Sequence, residues 1–232
     1  MCKIRKEFIV NPRRAVCENP FYTGHPKVIG HCGLRPTWEC TAKKRIESTR
    51  DTMISQPRLR TITVHTRPVH SSVKTTIFSG VLTAGSVTIR CSIGRTGASW
   101  LKKEGDGRTP KGRFRLLDGY YRPGSFRNQR GFRPIRPNSG WCDDPRNPNY
   151  NQPVKLPIAA SHENLWRDDG VYDVILILDY NIYPRIRDRG SAIFFHLARQ
   201  GFEATEGCVA IPADAMRKLL PRLSRHTVMI IK

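Results

Sequence analysis

Apolar and polar positions follow a strand pattern from about residue 60 onward. Residues 61–65 (TITVH) alternate apolar and polar side chains with a period of two. Residues 74–94 continue with β-branched side chains punctuated by glycine, which predicts two or three further strands. The apolar runs within 171–181 and 191–198 are typical of buried strands. We therefore expect strands to dominate the fold.

The rest of the pattern adds turns, loops and a helix. Residues 107–123 predict a turn followed by a strand, and residues 226–232 (HTVMIIK) predict a last strand. Residues 122–170 are rich in Pro, Gly and Asn, which predicts long loops over a rigid base. Residues 212–223 begin with a proline and repeat apolar side chains at helical spacing, so we expect a short helix. Residues 57–232 should form one mainly β domain, a sandwich or open barrel with one or two short helices.

Residues 1–56 differ from the rest of the chain. They contain four of the seven cysteines and show no clear periodicity, so we expect a poorly ordered or loosely attached segment. A second interpretation is that the natural start is Met53. The lack of a CxxC pair leaves little support for a zinc site, and we predict no metal. The candidate ligands of such a site would be Cys17, His31, Cys32 and Cys40.

The chain carries a large excess of positive charge. Its 232 residues include 40 Lys+Arg and 19 Asp+Glu, which gives a formal net charge of +21. Such a chain is drawn to polyanions, whether nucleic acid, a carboxylate-rich cell wall or an anionic membrane face. The densest basic stretch, 122–136, contains Gly and Pro and is typical of a loop. The sequence shows no apolar run long enough for a membrane span and no secretory signal.

Cys208 is the first candidate for chemistry. Gly207 precedes it, which allows a sharp turn and leaves room for a substrate carbonyl near the sulfur. His196 lies twelve residues upstream and would take or share the thiol proton, lowering the thiol pKa through an ion pair. Backbone N–H groups at Gly207 and Cys208 would form an oxyanion hole. From spacing alone, a buried cysteine and a core histidine are the more common explanation of such a pair.

Five segments favour a catalytic pair over a buried cysteine and a core histidine, because they occur together and in a fixed order. Two of them contain the candidate pair, GSAIFFHLA (190–198) and TEGCVAI (205–211). The other three are DGRTPKGRF (106–114), GWCDDPRNPNYN (140–151) and YDVILILDYN (172–181). Together they resemble the YkuD-type L,D-transpeptidase family, in particular its branch with a short His-to-Cys interval. The resemblance covers about residues 60–232.

The resemblance implies a YkuD-like β-sandwich and a role for each matching residue. Cys208 falls on the position of the nucleophile and His196 on that of the general acid and base. Gly207 and Thr205 fall on positions that shape the oxyanion site and orient the nucleophile. The sequence departs from the family at Ala210, where many members carry an arginine. That departure and the short interval leave the substrate detail open.

The reaction that the resemblance implies begins with a thioacyl-enzyme formed on a peptidoglycan stem peptide. An amine acceptor would make the protein an L,D-transpeptidase, and water would make it an L,D-carboxypeptidase or endopeptidase. No cofactor is required, and we expect a monomer whose partners are stem peptides rather than specific nucleic acid. The chemistry predicts the periplasm or cell envelope, although the lack of a visible signal peptide leaves the cytoplasm open.

A second polar segment, Trp141 to Asp144, is a candidate wall of the substrate pocket. Asp143 and Asp144 would hold the ammonium of a diamino acid, but capping of a loop turn is the more common role of such a pair. Cys142 lies between Trp141 and these carboxylates, which would raise its thiol pKa and disfavour the thiolate.

Other protein classes fit less well. A sortase would need a downstream arginine in a strand, and a papain-like protease places its cysteine before its histidine. A basic nucleic-acid-binding module would need aromatic residues among the cations, which Tyr121, Phe126 and Phe132 supply in part. Salt-dependent oligonucleotide binding would identify that class. An inert wall-binding domain would have no need of Cys208 and His196.

Overall fold

The computed structural model describes residues 57–71, 75–126 and 131–232. The segment 1–56, with its candidate zinc ligands, lies outside the described residues. Within them the chain forms fourteen strands, one α-helix and two 3-10 turns. The strands are β1 (Thr61–Ser71), β2 (Thr75–Ala84), β3 (Val87–Cys91), β4 (Ala98–Ser99), β5 (Thr109–Pro110), β6 (Gly112–Tyr121), β7 (Arg133–Pro134), β8 (Ser139–Cys142), β9 (Gln152–Lys155), β10 (His162–Asn164), β11 (Val174–Leu178), β12 (Phe194–Leu197), β13 (Val209–Ile211) and β14 (Val228–Ile231). Helix α1 spans Ala213–Leu219, and the turns span Gln200–Phe202 and Leu220–Arg222.

Nine strands form one sheet that nearly closes on itself. Their order is β13-β12-β11-β6-β14-β1-β2-β3, with β7 paired to β6. The two edges meet where Ser92, just after β3, forms an antiparallel bridge with Ala210 of β13 through N–H···O bonds of 2.8 and 3.0 Å. The bridge satisfies polar backbone groups that an open edge would leave unpaired. The expected mainly β fold, with an open-barrel sheet and a short helix, is confirmed.

The interior of this sheet is the larger of two apolar cores. In β11 the side chains of Val174, Leu176 and Leu178 belong to this core, whereas Ile175 belongs to the second core on the other face of the strand. A strand buried on both faces has no polar face to show, which explains the uninterrupted apolar run in the sequence.

The second core lies between the outer face of the barrel and a small sheet of order β10-β8-β9. Trp141 of β8 and Leu165, which follows β10, pack there with Ile175 and Phe194. The sequence prediction of loops throughout 122–170 is therefore wrong in part. Strands of three or four residues that contain Gly and Pro are too short to show a period of two, so the pattern concealed them.

Helix α1 occupies the first part of the range predicted from the sequence, residues 212–223, and is shorter than expected. It follows Pro212 and buries Met216 and Leu219. The α-helical bonding stops at Leu219 and passes into a 3-10 turn, because Pro221 has no N–H to donate. Neither this seven-residue helix nor any other in the described part of the chain has the length and apolarity to cross a membrane.

Strands β12 and β13 bring the candidate pair to one face of the barrel. Phe195 and Leu197 point into the barrel core, so the period of two turns His196 to the outer face beside Phe194. The two strands are parallel, and His196 pairs with Ala210. Cys208, two residues before Ala210, lies beside Phe194 on that same outer face.

Candidate active site

Cys208 is held by a tight turn, which hydrogen bonds of the Thr205 side chain stabilise. The Thr205 hydroxyl donates to the Cys208 carbonyl at 2.7 Å and accepts from the Gly207 N–H at 3.2 Å. Gly207 has a φ of +142°, and a Cβ on it would lie 2.8 Å from the Arg108 carbonyl oxygen. Both the backbone angle and the lack of space require glycine at this position. The turn therefore fixes where the sulfur lies.

The sulfur of Cys208 is buried and hydrogen-bonded to the backbone. Its thiol donates to the Ala192 carbonyl at 3.2 Å, and Sγ accepts from the Phe194 N–H at 3.3 Å. Burial raises the pKa of the Cys208 thiol to about 12, the Glu163 carboxylate adds to this rise, and the Phe194 N–H and the Lys102 ammonium oppose it. The resting thiol is therefore neutral at physiological pH.

His196 is equally buried, and its ring is oriented by the backbone. Its Nδ1 lies 2.9 Å from the Leu197 carbonyl oxygen. A carbonyl can only accept, so Nδ1 carries the proton of the neutral ring and Nε2 is the basic nitrogen. The Tyr172 ring stands edge-on to the imidazole at 5.1 Å. Burial lowers the pKa of His196 to about 4, although the Leu197 and Val171 carbonyls favour the protonated ring.

His196 and Cys208 line one cavity of about 340 Å³. Among the hydrogen bonds of the described residues, none joins them directly. From the sequence we expected the imidazole to hold the thiol as an ion pair; this stays a prediction, and the burial of both groups opposes it. A thiol with the higher pKa and an imidazole with the lower one both stay neutral, because burial disfavours each charged form.

The cavity is acidic although the chain is basic. Asp143 and Glu163 contribute neighbouring carboxylates, and the Asp143 Oδ1 atom is buried without a hydrogen-bond partner. Burial raises the pKa of Glu163, and the charge of Asp143 raises it further. Within the described residues, neither carboxylate has a cation within 4 Å. This side of the cavity suits a positively charged ligand group. The five carboxylates that line the cavity, those of Glu104, Asp143, Glu163, Glu203 and Glu206, outnumber its three cations, Lys102, Arg167 and Arg199.

The other predicted pocket residues lie elsewhere. Trp141 packs edge-on to Phe194 at 5.2 Å and donates from Nε1 to the Asn151 Oδ1 at 2.9 Å, so it supports the floor of the site within the second core. Asp144 accepts from the Arg146 N–H at 2.9 Å, which is the turn-capping role that the sequence analysis considered more common. Neither residue lines the cavity.

Cys142 is fully buried and does not line the cavity. Burial raises the pKa of its thiol, and the charges of Asp143 and Asp144 raise it further. The expected direction of this pKa is confirmed, with burial as the larger cause. No group of three potential ligands in the described ranges is arranged to hold a metal ion.

Sequence reasoning missed three residues that surround the pair. Tyr172 covers His196, Glu163 lies within reach of the Tyr172 hydroxyl at 3.5 Å, and Lys102 lines the cavity from a separate loop. Glu163 and Lys102 stand far from the Cys and His segments in sequence, and no spacing connects them. The one feature of the sequence that could have pointed to Lys102 is its position shortly before the DGRTPKGRF segment.

Comparison with known proteins gives one match. The family model of the YkuD L,D-transpeptidase catalytic domain matches residues 77–231, which covers both candidate residues and the strands that position them. No curated protein and no solved structure matches the chain.

Proposed function

The chain belongs to the YkuD family of L,D-transpeptidase catalytic domains, and we propose that it is a peptidoglycan-modifying cysteine acyltransferase. In this proposal Cys208 is the nucleophile and His196 is the general acid and base. The observation that carries it is that His196 of β12 and Cys208, which directly precedes the paired strand β13, line the same cavity of about 340 Å³. That volume falls in the range of small-molecule sites, roughly 300–1,000 Å³.

Acylation begins with two neutral groups. Nε2 of His196 accepts the proton of the Cys208 thiol while the sulfur attacks the carbonyl carbon of the third residue of a stem peptide. The Gly207 N–H is already bonded to Thr205, so we assign the Cys208 N–H to the developing oxyanion. The C–N bond then breaks, and His196 returns its proton to the amine of the departing terminal residue. A thioester on Cys208 remains.

Deacylation reverses the roles. The acceptor amine attacks the thioester carbonyl and loses its proton to His196, and the C–S bond breaks as His196 passes that proton to the sulfur and restores the thiol. Water in place of the amine would give the hydrolytic products of a carboxypeptidase or endopeptidase by the same route. Because the proposed substrate is cell-wall peptide, we place the reaction in the cell envelope.

The proposal is tested with muropeptides that carry a tetrapeptide stem. Purified protein should release the terminal amino acid and join two stems through their third residues, as followed by liquid chromatography and mass spectrometry. Tripeptide stems without cross-links would identify water as the acceptor. Failure to release the terminal residue from any muropeptide would contradict the proposed function.

Asp143 should contribute to the binding of substrate rather than to the chemical step. We propose that it and Glu163 hold an ammonium group carried by the diamino acid of the stem. Asp143→Asn should raise KM roughly tenfold, the factor produced by about 1.4 kcal/mol of lost binding energy, with little change in kcat.

Two controls accompany that measurement of steady-state kinetics. Asp144→Asn should leave KM unchanged, because Asp144 caps a turn outside the cavity. A substrate whose side-chain amine is acetylated should be used equally well by the parent protein and by Asp143→Asn. An unchanged KM for Asp143→Asn with the free amine would show that the carboxylate does not meet the substrate.

A further inference from the structure

Lys102 is a nearly fully buried lysine in the cavity of the nucleophile. The residue is only 3% exposed and lines the same cavity as Cys208. Its Nζ donates to the Asp106 Oδ1 at 2.8 Å and to the Lys103 carbonyl at 3.2 Å. Removing an ammonium and a carboxylate from water costs several kcal/mol per ion before their attraction offsets it. A buried ion pair is therefore weak evidence of a contribution to stability, which directs attention to what the charge does in the cavity.

Two glycines lie against this lysine, and both belong to the segments that carry the candidate pair. At the first of them, only glycine leaves enough space for it. A Cβ on Gly190, which has a φ of +100°, would lie 2.8 Å from Cε of Lys102. A Cβ on Gly207 would lie 3.5 Å from Nζ. Gly190 leads into the strand of His196, and Gly207 directly precedes Cys208. The aliphatic part of Lys102 therefore packs against the segment that leads into the strand of His196, and its ammonium lies beside the turn that precedes Cys208.

The charge balance around the sulfur shows what this lysine supplies. When His196 takes the thiol proton, a negative sulfur forms in a buried site that already holds the Glu163 carboxylate, which disfavours it. Among the described residues, the cation whose charge lowers the pKa of the Cys208 thiol is Lys102. The other titratable side chains that line this cavity are Glu104, Asp143, Glu163, Arg167, Tyr172, His196, Arg199, Glu203 and Glu206.

We propose that Lys102 supplies the positive charge that stabilises the Cys208 thiolate as it forms, and that Asp106 holds the ammonium in place. The inference rests on the proposed role of Cys208 as nucleophile. Hydrogen bonds from Lys102 and from the backbone keep the pKa of Asp106 below its usual value, against the opposing effect of burial. Asp106 is thus ionised at neutral pH. Lys102 transfers no proton and touches no substrate atom in this scheme, and it acts on the thiol through its electric field.

The experiment measures alkylation of Cys208 by iodoacetamide against pH, with peptide mapping to separate it from the other thiols of the full chain. Lys102→Met keeps the length of the stem and removes the charge. Its profile should shift to higher pH by about one unit, which is roughly a tenfold slower alkylation at neutral pH. Lys103→Met, which changes an exposed neighbour, should reproduce the parent profile.

A second variant separates charge from loop damage. Asp106→Asn removes the negative charge that offsets Lys102. Its amide oxygen in the place of Oδ1 can still accept from Lys102 Nζ and from the Arg108 N–H, while the bond from the Lys103 N–H to Oδ2 is lost. Alkylation at neutral pH should then be at least as fast as in the parent. Equal slowing in Asp106→Asn and Lys102→Met, or a parental profile in Lys102→Met, would overturn the inference.

The reaction with iodoacetamide needs no peptide, so this test is independent of the proposed function. If Cys208→Ala still processed muropeptides, the proposed function would fail whatever the lysine does. If Cys208 is required but Lys102→Met alkylates like the parent, only the role of Lys102 fails.

Discussion

Replacement of Cys208 by alanine should abolish acyl transfer, with a loss in kcat of more than about 10⁴-fold. The reason is that no other thiol of the described residues lines the cavity. The fold should survive, because the thiol makes only two weak hydrogen bonds, to the Ala192 carbonyl and the Phe194 N–H. We expect a cost of about 1 kcal/mol in the free energy of unfolding. Turnover of tetrapeptide stems and thermal unfolding measure the two effects.

Cys142→Ala is the matched control for this variant. Cys142 is also a buried free thiol, but it lies outside the cavity. The variant should keep most of the activity of the parent. Substantial turnover by Cys208→Ala, or complete loss in a folded Cys142→Ala, would show that the nucleophile is assigned to the wrong thiol.

His196→Ala should lower kcat by roughly 10²–10⁴-fold, the usual contribution of a positioned acid and base. The buried thiol has a pKa of about 12 and needs a base to lose its proton at neutral pH. Alkylation of Cys208 by iodoacetamide at about pH 7 should therefore slow, and the difference should narrow only as the pH rises toward the pKa of the thiol, where hydroxide removes the proton. Transpeptidation should fall further than alkylation, because the leaving amine also loses its proton donor.

The pH dependence of the free energy of unfolding tests His196 independently of its role in the reaction. The pKa of His196 is about 4 in the folded protein and about 6.5 in an unfolded chain. The unfolded state therefore binds more protons between these values, and the native state loses stability as the pH falls from about 6.5 through 4. His196→Ala should lose less stability over this window. Suppose that His196→Ala no longer loses stability at acid pH but its alkylation profile matches that of the parent. His196 would then be a core histidine without a part in catalysis.

The sequence predicted the main strands and pointed to the candidate pair because each is encoded locally. The apolar run at 174–178 marks a strand buried on both faces, and the Gly207–Cys208 turn carries its own backbone requirement. The small sheet of β8, β9 and β10 was missed because its strands are too short to show a period. Glu163 and Lys102 were missed with it, since pairing between distant segments brings them to Cys208.

The pKa values of the pair show a second limit of sequence reasoning. A Cys and a His in proximity suggest an ion pair, and that expectation holds where water or other charges support both ions. Here both side chains lie under the small sheet at the barrel surface, and burial favours the two neutral forms. The degree of burial depends on the whole fold, so no local motif encodes it.

The most direct measurement of the central claim is the mass of the intact protein after rapid acid quenching of its reaction with a tetrapeptide-stem muropeptide. The account predicts a mass increase equal to the muropeptide minus its terminal amino acid, located at Cys208 by peptide mapping and absent in Cys208→Ala. A carbapenem, whose strained lactam carbonyl is a second electrophile for the same thiol, provides a parallel adduct. Turnover accompanied by an acyl group on another residue, or turnover by Cys208→Ala, would contradict the account.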